Sequence, residues 1–218
     1  IGARNNRWRF DFIQISQQIG PLYLLLNVSR CASARKLFGV KCQNCGIKFL
    51  SRQIPIILDT GQRNSELRLK GEAAYFEPYA ICTCPSCSHV DWAQSFRRVD
   101  ENCVLGQKKD PPHLQFRQAA INAERTGRSF FQIGEFYLYA AWCADDVGAT
   151  PQSREYRKLA IDCFSKALLD ENVSKNKKSE LQYLIGEMLR RSGDFTRAKE
   201  HFEKVIPSLP GRFAMMAR

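Results

Sequence analysis

In the second half of the chain, apolar residues recur at the spacing of an α-helix. Five of them stand at i, i+3, i+4, i+7 and i+8 and share one helix face: Leu181, Leu184, Ile185, Met188 and Leu189. Gly193-Asp194 interrupts this pattern, and a second apolar stripe then runs from Phe195 to Val205 and ends before Pro207. This order predicts two helices joined by a tight turn, a helical hairpin.

Three more helices are predicted before this hairpin, after a polar, proline-ended connector at residues 107–112. The first covers His113–Glu124. The second, Phe130–Trp142, is apolar on almost every side and is expected to be the most buried helix. The third carries an apolar stripe from Leu159 to Leu168 that repeats the pattern of the last hairpin helix. Residues 108–210 are therefore predicted to form an all-α domain.

Residues 36–103 follow a different pattern, in which short apolar runs alternate with polar residues and glycines. Such runs are typical of short strands joined by turns. The predicted strands lie at Leu37–Val40, Ile47–Leu50, Ile54–Leu58 and Tyr79–Ile81.

An internal repeat relates the last hairpin to the helices before it. The two copies align on Ile-Gly-Glu, at residues 133–135 and 185–187. The second copy continues with Gly193, Phe195, Ala198, Phe202 and Pro210, and these spacings resemble the tetratricopeptide repeat, in which small residues let two antiparallel helices approach. The first copy keeps Tyr137, Ala160, Phe164 and Ala167, with about 14 extra residues between its two parts. An ordinary antiparallel bundle with the same core stripes is the alternative.

The composition is that of a folded globular chain. Of the 218 residues, 44% are hydrophobic and 25% are charged, which excludes collagenous, low-complexity and wholly disordered classes. The longest strongly apolar run, Pro21–Val28, is far shorter than the roughly 20 residues of a membrane-spanning helix. We therefore expect no membrane span.

The formal net charge of +11 is spread along the chain, at +3 over residues 1–34, +3 over residues 35–103 and +5 over residues 104–218. No segment has the concentrated basic stripe of a dedicated nucleic-acid reader, although folding could still gather charges that are distant in sequence. Nucleic-acid binding is therefore the second function hypothesis.

Cysteine provides the strongest chemical signal. Nine cysteines, an odd number, favour a reducing compartment with some cysteines on metal over a secreted disulfide framework. Two C-x2-C pairs, Cys42/Cys45 and Cys84/Cys87, could together complete a tetrahedral Zn2+ site with no open coordination position, so the predicted site is structural. The 38 residues between the pairs exceed the usual zinc-ribbon gap and imply an inserted hairpin or loop. Iron in a rubredoxin-like site is the alternative.

The remaining cysteines and histidines carry weaker signals. Cys82 and His89 could each replace a ligand, although core packing and support of the site are the more common roles. The four cysteines far from the pairs are predicted to pack in the core: Cys31, Cys103, Cys143 and Cys163. The sequence contains none of four common catalytic or cofactor-binding motifs: the zinc-protease motif, the nucleophile elbow, the P-loop and the dinucleotide-binding glycine pattern. We therefore predict that the chain is not an enzyme.

Tetratricopeptide-like packing would place a peptide-binding face on the first helix of each hairpin. The residues expected on this face lie off the core stripes: Arg128, Glu135 and Tyr139 in the first copy, and Glu180, Tyr183, Glu187, Arg190 and Arg191 in the second. The two adjacent arginines would suit an acidic segment or a terminal carboxylate. A solvated arginine pair at the negative end of a helix dipole is the competing interpretation.

The layout as a whole resembles a bacterial family known as a domain of unknown function. The resemblance covers residues 36–206. It rests on three motifs: Leu37–Gly46, the tyrosine-rich approach to Cys84-Pro85-Ser86-Cys87, and the hairpin at residues 193–202. It implies Cys42, Cys45, Cys84 and Cys87 as the conspicuous cysteines and a bacterial cytoplasm as the setting, and it implies no activity. Ser88 departs from the usual glycine, and residues 1–34 have no counterpart.

These observations predict an α+β chain with four parts. An N-terminal extension (residues 1–35) precedes a zinc-ribbon-like β module (36–107), a tetratricopeptide-like helical domain (108–210) and a tail (211–218). The order of basic residues, apolar run and Ala32-Ser33-Ala34 in the extension resembles a signal peptide, but the apolar part is short and Asp11 precedes it. The predicted function is that of a cytoplasmic, zinc-binding adaptor for proteins or peptides.

Overall fold

The computed structural model describes residues 36–53, 61–70, 77–100 and 103–217. The predicted N-terminal extension and the strand expected at Ile54–Leu58 lie outside these residues. The five strands are β1 (Lys36–Lys41), β2 (Lys48–Gln53), β3 (Ile81–Thr83), β4 (Val90–Trp92) and β5 (Arg97–Arg98). The helices are α1 (Pro112–Arg125), α2 (Phe130–Asp146), α3 (Thr150–Ala167), α4 (Lys175–Arg191), α5 (Phe195–Val205) and α6 (Gly211–Met216).

The strands form two small antiparallel sheets, one with the order β2-β1-β5 and the other a β3-β4 hairpin. Val40 pairs with Phe49 across the first sheet, and both are fully buried, because directly opposed residues of antiparallel strands share a face. The sequence pattern thus located β1 and β2, whereas β3 begins at Ile81, where the predicted strand Tyr79–Ile81 ends. The coarse prediction of an α+β chain is confirmed.

All five predicted helices are present, although α3 begins at Thr150 and α4 at Lys175, before the predicted apolar stripes that start at Leu159 and Leu181. Side-chain oxygens cap three of them, because the first N–H groups of a helix have no partner within it. Ser129 accepts from the backbone of Gln132 at α2, and Asp194 accepts from that of Arg197 at α5. Ser174 has the same role at α4. The predicted tail contains a sixth helix, α6, which the sequence pattern did not indicate.

Both copies of the internal repeat contain the same helix contact. Gly134 of α2 lies against the ring of Phe164 of α3, and Gly186 of α4 lies against the ring of Phe202 of α5. A Cβ added at either glycine would overlap the ring. The two Ile-Gly-Glu sites are therefore equivalent in structure, since each supplies the small residue that admits an aromatic ring from the next helix.

The β3-β4 hairpin shares a core with the helices. Ile81 and Val90 belong to the same buried cluster as residues of α1 to α5. Trp92, at the end of β4, stacks on Phe136 with 4.9 Å between ring centroids and meets the ring of Tyr139 edge-on at 5.0 Å. A second, smaller core lies between the two sheets and includes Val40 and Phe49. The metal-ligand candidates lie in this second core.

Candidate metal centre

Two similar turns present the four cysteines of the C-x2-C pairs. The first follows β1: Cys42 N–H donates to the carbonyl of Ile47, and Gly46 N–H donates to the carbonyl of Cys42. The second follows β3 and repeats both bonds, from Cys84 to His89 and from Ser88 to Cys84. Gly46 and Ser88 occupy the same place in the two turns, and both have left-handed backbone, with φ of 76° and 56°. Ser88 therefore adopts a conformation that favours glycine.

The two turns bring four sulfur atoms together. The Sγ atoms of Cys42, Cys45, Cys84 and Cys87 all lie within 4.8 Å of one another. Across the turns, Cys42 to Cys87 and Cys45 to Cys84 are both 3.7 Å apart, too far for a disulfide and within the van der Waals range of sulfur. Four ligands about 2.3 Å from a tetrahedral Zn2+ would be about 3.8 Å apart. The four cysteines could therefore hold a metal ion.

The protein environment shifts the pKa values of Cys84 and Cys87 in opposite directions. Burial raises the pKa of Cys84 to about 12. Burial acts the same way on Cys87, but hydrogen bonds from the side chain of Asn44, the backbone of His89 and the neighbouring thiols lower its pKa to about 6. Four adjacent thiols cannot all ionise without a compensating cation, because like charges at this distance repel. Metal binding is therefore expected to release protons.

The possible substitute ligands lie outside this cluster. Cys82 is fully buried on β3, where its Sγ lies 3.5 Å from the side-chain oxygen of Gln107, and burial raises its pKa to about 11. The ring of His89 packs near Phe96, with 5.8 Å between centroids. Cys143 and Cys163 are buried in the helical core, as predicted. Cys103 is partly exposed, and Cys31 lies outside the described residues.

Two of the residues predicted for peptide binding in the first copy contact the β3-β4 hairpin. Arg128 forms two hydrogen bonds to Asp91, an aspartate that is only 3% exposed. Tyr139 packs in the aromatic cluster with Trp92. Glu135 is partly buried, and burial raises its pKa to about 7 despite the nearby charge of Lys177. Arg128 and Tyr139 thus hold the β3-β4 hairpin on the helices.

In the second copy, other parts of the chain cover two of the predicted residues. Tyr183 is 1% exposed, because Phe213 of α6 stacks on its ring and its hydroxyl donates to the carbonyl of Ser65. Glu187 is 4% exposed and accepts two hydrogen bonds from Arg190. Arg190, Arg191 and Glu180 keep part of their side chains exposed, and Glu180 pairs with Lys177. Peptide binding by these eight residues stays a prediction.

Residues 61–70, between the two cysteine pairs, lie against the helices through a buried charge network that the sequence did not indicate. Glu66 is 1% exposed, and Arg157 of α3, which is 2% exposed, donates to both of its carboxylate oxygens at 2.7 Å. The indole of Trp142 donates to the same carboxylate at 3.1 Å, and Arg191 lies 3.5 Å from it. A carboxylate thus lies beside the predicted arginine pair, and it belongs to the chain itself.

Asp145 and Asp146, the last two residues of α2, extend this network. Asp145 accepts from Arg157 and from Ser153. Asp146 accepts two hydrogen bonds from Arg68, which also donates to Glu77. Residues 61–70 are polar and show no regular spacing of apolar residues, so their sequence does not indicate that Glu66 is buried. Acidic residues in loops are usually exposed to solvent. Residues 61–70 are therefore tied to α2 through Arg68 and to α3 through Glu66.

Comparison with known proteins found one family model that matches the helical part of the chain. Residues 112–212 match a family described as "Uncharacterized protein conserved in bacteria (DUF2225)". The matched stretch begins at α1 and ends in α6, and the cysteine pairs precede it. It supports the resemblance to a bacterial domain of unknown function over the helices. Searches of the curated proteins and of the solved structures gave no match.

Within the ranges that the structure describes, none of the helices combines the length and the apolar character needed to cross a membrane.

Proposed function

We propose that the chain is a non-enzymatic adaptor with a structural zinc site. One Zn2+ bound by Cys42, Cys45, Cys84 and Cys87 holds the two cysteine turns together, and the helices bind a protein or peptide partner. The observation that carries this proposal is the spacing of the four Sγ atoms, which fits a tetrahedral ion. Because four thiolates fill every coordination position, the metal has no place for a substrate.

The shared glycine-to-phenylalanine contact supports a tetratricopeptide-like arrangement of the helices. Gly134 with Phe164 and Gly186 with Phe202 are the small residue and the aromatic residue that such hairpins pair. Two copies are fewer than the three usually needed for an independent solenoid. The β3-β4 hairpin and residues 61–70, which cover the helices, supply the missing apolar contacts.

The charge network supports recognition of acidic groups by this helical surface. Arg157 and Arg191 lie on α3 and α4 and bring two guanidinium groups to one carboxylate of residues 61–70. Arg190 lies next to them with half of its side chain exposed. An acidic segment of a partner would therefore contact Arg190, which lies beside the two arginines that bind Glu66.

The thiols support a reducing compartment, the bacterial cytoplasm. All eight described cysteines are free, including the four whose sulfur atoms lie close together. In an oxidising compartment, such adjacent thiols would be exposed to disulfide formation. The match to a family conserved in bacteria agrees with this setting.

Metal analysis tests the zinc proposal. The chain purified under reducing conditions should contain about one zinc per molecule. Cys45→Ser should lose the metal, since three thiolates bind far more weakly than four, whereas Cys143→Ala should retain it. Protein free of zinc and of iron would contradict the proposal, and stoichiometric iron would show a rubredoxin-like site instead.

Affinity capture from the native cell tests the adaptor proposal. Partners retained by the full chain should resist nuclease and should be lost from the double variant Arg190→Ala, Arg191→Ala. The matched control removes two cations of α5 that are not among the eight predicted residues, Lys199→Ala with Lys204→Ala. Because Arg191 also contacts Glu66, thermal melting must show that the first variant is folded. Unchanged capture by a folded variant would show that this face binds no partner.

A further inference from the structure

A groove of about 520 Å3 lies between the second cysteine turn and α1. Its volume falls within the range of about 300–1,000 Å3 that is typical of small-molecule sites. The turn contributes Ser88 and His89, the connector contributes Lys108, and α1 contributes Arg117, Asn122 and Arg125. None of these residues belongs to the predicted peptide face, and the groove is distinct from the four-sulfur cluster except that Cys87 touches its edge.

The groove has a positive balance of charge. Three of its lining residues are cationic, and Asp110 is the single acidic residue that lines it, paired with Lys108 at 3.1 Å. Neither Arg117 nor Arg125 has a carboxylate within 4.0 Å in the described parts of the chain. Both are exposed on the same face of α1, eight residues and therefore about 12 Å apart along the helix axis. Two guanidinium groups are thus available to an anion.

A buried amide also points to a ligand. Asn122 is 8% exposed, and its Oδ1 accepts from the side chain of Gln118 at 3.2 Å. Its Nδ2 makes no hydrogen bond to any residue that the structure describes and is not fully buried, so this donor is open to the groove that Asn122 lines. The neighbouring Gln115 is also buried, but its amide oxygen accepts from Thr83 and its amide nitrogen donates to the carbonyl of Asp110. Asn122 therefore offers a free donor inside the groove.

We propose that this groove binds a nucleotide, with Arg117 and Arg125 on the phosphate and the Asn122–Gln118 amides on the edge of the base. Guanidinium groups match phosphate oxygens in geometry and charge, and side-chain amides offer the donor and acceptor pattern that base edges require. A plain inorganic anion would leave the amides unused. The nucleotide could be free or part of a single strand, and this inference is separate from the adaptor function.

Calorimetry on the zinc-loaded full chain tests the proposal, with adenosine monophosphate, uridine monophosphate and inorganic phosphate as probes. At least one mononucleotide should bind, and more tightly than phosphate. Arg117→Ala with Arg125→Ala should weaken that binding at least about tenfold, since each residue makes a charge-assisted contact. The control that removes the same charge elsewhere, Lys199→Ala with Lys204→Ala, should change it less than about twofold. Asn122→Asp, which replaces the free donor with a negative charge, should also abolish binding.

A labelled oligouridine single strand distinguishes the two sources. If a strand is the ligand, it should bind more tightly than the mononucleotides, and the arginine variant should reduce the slope of log affinity against log salt by about 1.4, for two phosphate contacts. Equal or weaker binding of the strand supports a free nucleotide. Equal losses in the arginine and lysine variants would show non-specific charge attraction and overturn the proposal, as would the absence of binding to every nucleotide probe.

Discussion

Loss of the charge at Glu66 should destabilise the fold more than any exposed charge change. Glu66→Gln keeps the size of the side chain and removes the negative charge that faces Arg157, whose donors lie 2.7 Å from both carboxylate oxygens. Breaking a fully buried pair costs about 3–5 kcal/mol. Asp145, 2.6 Å from Arg157, continues to compensate that guanidinium, so we expect about 3 kcal/mol, the lower end of the range.

Urea unfolding of the zinc-loaded chain measures this loss, and thermal melting should show a fall in Tm of about 6–12 °C for a unit of this size. Glu203→Gln is the matched control, because Glu203 and Lys199 are 65% and 78% exposed and lie 3.8 Å apart. It should change the free energy of unfolding by less than about 0.5 kcal/mol. If Glu66→Gln also changes the free energy of unfolding by less than about 0.5 kcal/mol, the Glu66–Arg157 pair does not hold residues 61–70 on the helices.

Three further changes test other parts of the argument by urea unfolding. Ser88→Gly should stabilise the chain by about 1 kcal/mol, because glycine adopts the left-handed backbone conformation of this position without the steric cost that serine has there. If the free energy of unfolding does not increase, the backbone of Ser88 is not strained. Gly134→Ala should cost about 1–2 kcal/mol and more than Gly186→Ala, because the ring it meets, Phe164, is 1% exposed and cannot move aside; equal costs would contradict this. Burial raises the pKa of Glu135 to about 7, above the unfolded value, so its stabilising contribution is complete below about pH 4.5 and disappears as the pH rises through 7. Glu135→Gln should remove that part of the pH dependence, which a series of unfolding curves between these pH values would detect.

The sequence predicted the cysteine site because the chemistry of thiolates restricts the possibilities. Two residues between cysteines leave room for one tight turn, and two such turns suffice for one ion. The structure repeats the same hydrogen bonds in both turns, although the second has Ser88 where the first has Gly46. The two helical hairpins were predictable for a similar reason, because the spacing of their apolar residues places those residues on one face of each helix, and that face must be buried.

The outer faces of the helices were not predictable in this way. Tyr183 lies off the apolar stripe of α4, so the pattern assigns it to an exposed surface. Its burial depends on Phe213 and on Ser65, which lie 30 residues after it and 118 residues before it. Local periodicity contains no information about such distant contacts. For the same reason, a glutamate in a polar loop, Glu66, did not suggest a buried ion pair.

The division of the core between two clusters predicts how far the effect of metal removal extends. Val40 and Phe49 of β1 and β2 pack with the metal-ligand candidates in the small core between the sheets, whereas Ile81 and Val90 of β3 and β4 pack on the helices. The β3-β4 hairpin therefore has apolar support that does not depend on the metal, and the β2-β1-β5 sheet has little.

Hydrogen exchange before and after chelation measures this difference. Amides of residues 36–53 should lose protection when the metal is removed, while those of 81–83 and 90–92 should keep most of theirs, because their hydrophobic contacts with the helices remain. If the whole β module, residues 36–107, loses protection together, the ion rather than the helical core holds the second hairpin. If neither hairpin changes, the four cysteines do not hold a structural metal, since removing such an ion must cost the fold its binding free energy.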